Sequence, residues 1–148
     1  MAMQHTPLLM SKIIDRGAKV APYEEIVTAT ENGVRRQTYK ETRDRAHQLA
    51  HALAEAGIAI GDRVGTFMWN GSRHLEAYQA CAGMGAVLHT LNIRLSEKDL
   101  EYIINHAEDQ IIIVDADILP LLEKLEGKMP TVRQVVIATE EGFEGWST

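Results

Sequence analysis

The hydrophobic positions of the chain follow two spacings. Short apolar runs, typical of buried strands, alternate with segments in which apolar residues recur every three or four positions, and that recurrence indicates amphipathic helices. From Thr38 onward the two kinds of segment take turns along the sequence. This order predicts an α/β fold with three layers, a mostly parallel sheet with helices on both faces.

The predicted helices carry start and stop signals. Thr38 and Glu41 have the spacing of a capping box, and Gly57 follows the last apolar position of that helix. Ser72 and Ser96 are expected to cap the two helices that follow. The helix after Ser72 is expected to face inward through Leu75, Tyr78, Gln79 and Ala82. The five helices are predicted over 7–19, ending near Gly17, then 38–56, 72–82, 96–107 and 118–125.

The strand signals define a sheet and a separate hairpin. Alternating runs around Glu31-Asn32-Gly33 predict an N-terminal β-hairpin at an edge of the sheet. The run from Gln110 to Val114 is apolar throughout, which is typical of a strand buried on both faces. The strands are predicted over 25–30, 35–39, 63–69, 86–91, 110–114 and 131–138. The tail, 139–148, has no periodicity and is predicted to be a loop or a cut linker.

Composition narrows the class of protein. The 148 residues suit one domain, 1–148, and the net charge of −6, from 21 acidic and 15 basic residues, argues against a nucleic-acid partner. Cys81 is the single cysteine, so no internal disulfide can form, and a reducing, cytoplasmic setting is expected. The N-terminus lacks the features of a signal peptide, and no apolar run is long enough to predict a membrane span.

The segment from Gly61 to Leu95 reads as strand, helix, strand, a βαβ unit. Gly83 and Gly85 within it resemble part of a dinucleotide-binding fingerprint. However, such glycines follow a strand and open a helix, whereas these two close a helix and precede a strand. We therefore interpret them as a helix stop with close packing.

Three groups of residues carry candidate chemistry with an ordinary alternative. Asp115 and Asp117 end a buried strand, and such a pair could perform Mg²⁺-assisted phosphoryl transfer or cap the next helix. His47 and His51 have the spacing of two metal ligands, but a surface or half-buried position beside an apolar stripe is the better interpretation. Cys81 lies among alanines with no neighbouring base, so we expect a core residue rather than a nucleophile.

Polar residues also follow two neighbouring strands. Trp69 and Asn70 end one strand, and Asn92 and Arg94 follow the next, so both pairs are expected at the same edge of the sheet. Each Asn suits a loop role. Arg94 could bind a phosphate or carboxylate, or form a salt bridge to Glu97 or Asp99. The sequence contains neither a G-x-x-x-x-G-K-[ST] loop nor a G-x-S-x-G elbow, hence no complete catalytic constellation.

An ordered set of motifs resembles the N-terminal region of acyl-CoA synthetases, within the adenylate-forming superfamily, and looks most like the fatty-acyl branch. The motifs are Thr38-Tyr39, Gly61-Asp62-Arg63-Val64, a strand ending in Asn70, Gly85-Ala86-Val87, and Leu91-Asn92 with Arg94-Leu95. The resemblance covers nearly the whole chain.

The resemblance implies a fold and a function. The chain would be the first subdomain of a medium- or long-chain fatty-acid–CoA ligase, which forms an acyl-adenylate from a fatty acid and ATP with Mg²⁺ and transfers the acyl group to coenzyme A. The phosphate loop and catalytic lysine of the family lie beyond this segment, so the chain alone is expected to be inactive. Arg94 would lie near coenzyme A, and the N-terminal region would pair two copies into a homodimer. The alternative is a free-standing α/β interaction or regulatory module.

Overall fold

A computed structural model of the chain describes residues 7–30, 33–139 and 143–146. Its helices are α1 (Ser11–Val20), α2 (Tyr39–Glu55), α3 (Ser72–Met84), α4 (Glu97–Ala107) and α5 (Leu119–Glu123). Its strands are β1 (Glu25–Thr30), β2 (Gly33–Thr38), β3 (Arg63–Phe67), β4 (Val87–Thr90), β5 (Ile111–Asp115), β6 (Gln134–Ala138) and β7 (Phe143–Trp146). In these ranges no helix is long and apolar enough to cross a membrane.

The central sheet has the strand order β4-β3-β5-β6-β7. The first four strands are parallel, and β7 pairs antiparallel with β6. The chain therefore leaves β3 toward β4 on one side and returns to β5 on the other side of β3. This is the doubly wound arrangement that the alternating pattern predicts.

Two apolar clusters lie on opposite faces of the sheet, because successive side chains of a strand point to opposite sides. Ile111 and Ile113 of β5 pack with residues of α2 and α3, whereas Ile112 and Val114 pack with residues of α4 and α5. Each of these four side chains is at most 1% exposed. The prediction of a strand buried on both faces is confirmed.

The N-terminal hairpin forms, but its predicted position is wrong. β1 and β2 pair antiparallel as a sheet of their own, separate from the five-stranded sheet. The hairpin is held near the α2–α3 layer instead: the Gln37 amide nitrogen donates to Glu76 of α3 at 2.8 Å. The turn residues Glu31 and Asn32 lie outside the described residues.

Helix α1 differs from its prediction in extent and in exposure. It runs past Gly17, whose Cα faces the Tyr39 ring so closely that a Cβ there would lie 3.2 Å from a ring carbon. Gly17 therefore allows close contact with Tyr39 and does not end the helix. Ala18 is the buried residue of this helix, whereas Leu9 and Ile13 of the predicted apolar side are exposed.

Helix α3 packs through a different face from the one its apolar pattern predicts. Tyr78 and Ala82 are exposed, and the buried residues are instead Ser72, His74, Glu76, Ala77, Ala80 and Cys81. Small side chains allow α3 to approach α2 closely, and the one charged residue among them is paired across that interface. Packing density, rather than the size of the hydrophobic residues, decides the inward face here.

The remaining boundaries follow the sequence signals closely. The capping box of α2 is present: the Glu41 amide donates to the Thr38 hydroxyl at 3.2 Å, and the Thr38 amide donates to the Glu41 carboxylate at 2.8 Å. Ser96 caps α4. The tail differs from its prediction of a loop or cut linker, because Phe143–Trp146 adds strand β7 to the sheet.

Candidate functional site at the carboxyl end of the sheet

A cleft of about 800 Å³ lies where the carboxyl ends of β3, β5 and β6 face the hairpin. Its walls are Thr28, Ala29, Thr30 and Arg35 of the hairpin, 68–74 after β3, 115–117 after β5, and Ala138 and Thr139 after β6. Ligands of open α/β sheets bind at such carboxyl edges. The cleft is therefore the candidate functional site.

Trp69 donates two hydrogen bonds to aspartates on the other side of the cleft. Its backbone N–H donates to the Asp115 carboxylate at 2.7 Å, and its indole N–H donates to the Asp117 carboxylate at 2.8 Å. Burial raises the pKa of Asp115, and the Trp69 amide opposes that rise. The two acids thus join the segment after β3 to the segment after β5.

This arrangement corrects the sequence interpretation of the two acids. Neither caps α5, whose N-cap is Ile118 without a side-chain hydrogen bond. Among the described residues there is also no group of three or more His, Cys, Asp or Glu side chains placed to hold a metal ion. Both carboxylates bond Trp69, so the structure gives the phosphoryl-transfer hypothesis no support.

The first turn of α3 forms one wall of the cleft. Its N-cap is Gly71 rather than Ser72, so the helix has no capping side chain and the expected role of Ser72 is wrong. The Ser72 amide donates to the Thr28 hydroxyl at 3.0 Å, which links α3 to the hairpin. The Ser72 hydroxyl is buried and has no hydrogen-bond partner.

His74 lies two residues after Ser72 in the same turn. Its Nε2 and the Thr66 hydroxyl are 3.0 Å apart, and its Nδ1 is buried without a hydrogen-bond partner. Burial lowers the pKa of His74 below its ordinary value. The imidazole is therefore neutral at physiological pH and acts as a hydrogen-bonding group rather than as a cation.

The residues predicted to lie at one edge of the sheet do share a pocket of about 380 Å³. Its lining includes Trp69, Asn70, Asn92 and Arg94. The Asn92 carboxamide oxygen accepts the Arg94 amide at 3.0 Å, which confirms its loop role.

Arg94 itself is exposed and makes neither of the two salt bridges considered for it. Glu97 pairs with Lys124 at 3.2 Å, and Asp99 accepts the Ser96 hydroxyl at 2.6 Å. The Arg94 guanidinium therefore has no ion-pair partner among the described residues, and it remains available for a ligand.

Three other sequence interpretations hold. His47 and His51 are both exposed, as the surface interpretation expects, and His47 lies 3.6 Å from Asp15. Cys81 is buried, and burial raises the pKa of its thiol to about 12, so it is a core residue. Gly85 has a left-handed φ of 81° at the C-cap of α3, as a helix stop requires. The same interpretation of Gly83 is wrong, because Gly83 lies inside α3 and a Cβ there would meet nothing closer than 3.9 Å.

Sequence reasoning missed two buried carboxylates that each contact a basic side chain from another part of the chain. Arg45 binds Glu76 through two nitrogens, at 2.7 and 3.1 Å, although Glu76 is 0% exposed. His89 Nδ1 lies 2.8 Å from the buried Asp109 carboxylate, and burial raises the pKa of Asp109 although His89 opposes the rise. The partners are 31 and 20 residues apart in sequence, so no local pattern signals them.

Comparisons with known proteins identify the family to which the chain belongs. A family model described as "AMP-binding enzyme" matches residues 14–147. A long-chain-fatty-acid–CoA ligase of Thermus thermophilus is 43% identical over 97% of the chain, and a medium-chain-fatty-acid–CoA ligase of Ectopseudomonas oleovorans is 37% identical over 91% of it. The matches cover 27% and 25% of those relatives, so the chain spans about a quarter of their length.

Solved structures show the same fold. The N-terminal domain of FACL13 from Mycobacterium tuberculosis superimposes with a TM-score of 0.82 at 24% identity, over 89% of this chain and 34% of that one. The chain belongs to the family of AMP-binding enzymes. The relatives that it resembles in sequence include fatty-acid–CoA ligases.

Proposed function

We propose that residues 1–148 form the N-terminal subdomain of an ATP-dependent, AMP-forming fatty-acid–CoA ligase. The observation that supports this most is the match of the AMP-binding family over 14–147, together with the two fatty-acid–CoA ligases at 43% and 37% identity. The parent enzyme joins a fatty acid to ATP, releases pyrophosphate with the help of Mg²⁺, and transfers the acyl group from the adenylate to coenzyme A.

On this proposal the chain supplies scaffold and binding surface rather than the reacting groups. Its sequence contains no phosphate-binding loop ending in lysine, and the carboxylates at the sheet edge are bonded to Trp69. Cys81 is buried and unreactive, which removes the one thiol from consideration. The isolated chain is accordingly proposed to be inactive.

A chimaeric enzyme tests the proposal. The corresponding quarter of the Thermus thermophilus relative is replaced by this chain, with which it shares 43% identity. We expect the chimaera to form a fatty-acyl thioester with coenzyme A, detected by mass spectrometry, in a reaction that needs both ATP and Mg²⁺. A chimaera that is folded, as judged by circular dichroism, yet forms no thioester would contradict the proposal.

Arg94 is the residue that we propose for binding coenzyme A. It borders a second pocket, of about 530 Å³, that is also lined by Lys98 and Lys124. Glu97 also lines this pocket and pairs with Lys124, so Arg94 and Lys98 are the cations that suit a phosphorylated ligand. A guanidinium presents its donors in a fixed fork. The lack of an ion-pair partner for Arg94 among the described residues supports a role outside the fold.

Two further parts of the proposal concern the setting. The single buried cysteine supports a reducing, cytoplasmic location. The exposed apolar residues at the start of the chain support pairing of two copies through this region. Those residues are Leu8, Leu9, Met10, Ile13 and Val20. An amphipathic helix with an uncovered apolar side is typical of a contact surface.

A further inference from the structure

Helix α3 carries an apolar stripe that faces away from the core of this chain. Leu75, Tyr78 and Ala82 recur at helical spacing, as the inward residues of an amphipathic helix do. The structure buries the opposite side of α3 instead, so Tyr78 is 45% exposed, Ala82 is exposed and Leu75 is half-buried. A helix with apolar residues on its outward side as well is typical of the interior of a larger protein.

The edge of the sheet beside this stripe is open. β4 pairs with β3 on one side, and no strand within 7–30, 33–139 or 143–146 pairs with it on the other side. Tyr78 and Thr90 of β4 line the same pocket, which places the outward stripe of α3 next to this edge. Val87, at the start of β4, is 47% exposed. Proteins normally cover an open strand edge that adjoins apolar side chains.

The exposed apolar residues continue to the turn before β3. Ile60 in this turn is 85% exposed, and a Cβ at Gly85 would lie 3.3 Å from its side chain, so Ile60 adjoins the end of α3. The Gly61 amide donates to the Gly85 carbonyl at 2.9 Å, which holds the turn against that helix end. We call the following five residues, none of them charged, the α3–β4 surface: Ile60, Leu75, Tyr78, Ala82 and Val87. A partner for this surface must itself present apolar side chains.

We propose that the α3–β4 surface packs against the remaining part of the parent ligase, which covers the apolar stripe of α3 and the open edge of β4. The identity of this partner rests on the proposed function. The chain spans about a quarter of the length of its relatives, and a longer chain buries a larger fraction of the surface of each part. A second copy is the alternative occupant, but the exposed residues of α1 already provide the surface proposed for that contact.

Hydrogen–deuterium exchange, compared between the isolated chain and the chimaera, tests this contact. We expect the amides of 86–91 to exchange at least about tenfold more slowly in the chimaera, because the edge of β4 is covered there. The amides of α4, on the other face of the sheet, are the control and should exchange at similar rates in both proteins. The measurement needs no ligase activity, so a folded but inactive chimaera contradicts the proposed function alone. Equal exchange of 86–91 in the two proteins overturns the inference about the surface.

Two tyrosines in similar settings provide a matched pair of variants. Tyr78 and Tyr102 are 45% and 65% exposed, and each ring lies against one histidine, with centroids 5.0 and 5.5 Å apart. Tyr78→Glu places a charge in an apolar contact, so it should lower the melting temperature of the chimaera by about 2 °C or more. It should change the isolated chain much less, and Tyr102→Glu should have little effect on either protein. An equal effect of Tyr78→Glu on the two proteins would contradict the proposal.

Sedimentation of the isolated chain distinguishes the two occupants. Tyr78→Glu and Ala82→Glu should leave the mass of the isolated chain unchanged, because the remaining part of the ligase is absent from that sample. A lower mass in either variant than in the wild type would assign the α3–β4 surface to a second copy and overturn the proposal.

Discussion

At the scale of residues, the groups with unusual environments are polar side chains that the fold buries. Glu76 and Asp109 lie in the interior with their partners, and His74 is buried beside Thr66. None of these could be predicted from the sequence, because each depends on a partner from another element. Asn92 and Cys81 could be predicted, because their roles follow from local chemistry and from their immediate neighbours.

His74 makes folding depend on pH. Burial lowers the pKa of His74 below 6.5 in the folded chain. As the pH falls below that value, the unfolded chain binds a proton that the folded chain does not, so stability is lost toward acid and present above it. We expect His74→Gln to show a shallower loss of unfolding free energy between about pH 7 and pH 5.

Urea denaturation at several pH values measures this difference. His51→Gln, which alters an exposed histidine on α2, is the control and should keep the wild-type dependence. If His74→Gln and the wild type lose stability in parallel toward acid, the assignment to His74 is wrong.

Arg94 belongs to the same scale, and its prediction concerns the chimaeric ligase. Arg94→Ala is expected to raise the KM for coenzyme A by about tenfold or more, with a much smaller change in the KM for ATP, because one charged hydrogen bond to the ligand is lost. Steady-state kinetics with each substrate varied in turn measures the split. Arg16→Ala, on the exposed side of α1, is the control, and equal effects on both substrates would contradict a specific role for Arg94.

At the scale of elements, the boundaries that carry a local signal were predicted well. The capping box of α2 and the Gly85 stop of α3 form as the sequence indicates. The inward face of α3 was predicted wrongly, because close helix packing favours Ala77 and Ala80 over larger side chains. Strand β7 was missed, because its short segment has no alternation and its pairing with β6 is tertiary.

Two glycines at the end of α3 give opposite predictions. Gly85 has a φ of 81°, and a Cβ there would lie 3.3 Å from Ile60, so Gly85→Ala should destabilise the fold by about 1–2 kcal/mol. Gly83 is helical, and its Cβ would meet nothing closer than 3.9 Å, so Gly83→Ala should stabilise it by about 0.5–1 kcal/mol. Chemical denaturation compares the two, and a shared sign would refute the helix-stop interpretation.

At the scale of the whole molecule, the proposed homodimer predicts a change in mass. Ile13 is 61% exposed on α1, so Ile13→Glu should convert a dimer to a monomer in analytical ultracentrifugation without altering the melting temperature. Val27→Glu places the same charge at a similarly exposed position of the hairpin and should leave the dimer intact. A wild-type chain that sediments as a monomer would remove this part of the proposal.

The fold class could be predicted from the sequence, because strand and helix periods alternate along most of the chain. The position of the hairpin could not be predicted, because no local sequence signal shows whether it packs on the sheet edge or on a neighbouring helix. The cleft is likewise a product of topology, which brings together segments from β3, β5, β6 and the hairpin.

The central claim is that this chain is one part of a fatty-acid–CoA ligase whose chemistry needs the rest of the enzyme. Fatty-acid-dependent release of pyrophosphate from ATP, measured side by side for the isolated chain and for the chimaera, tests it most directly. The account predicts release by the chimaera and none above background by the isolated chain. Release by the isolated chain, or a folded chimaera without release, would contradict it.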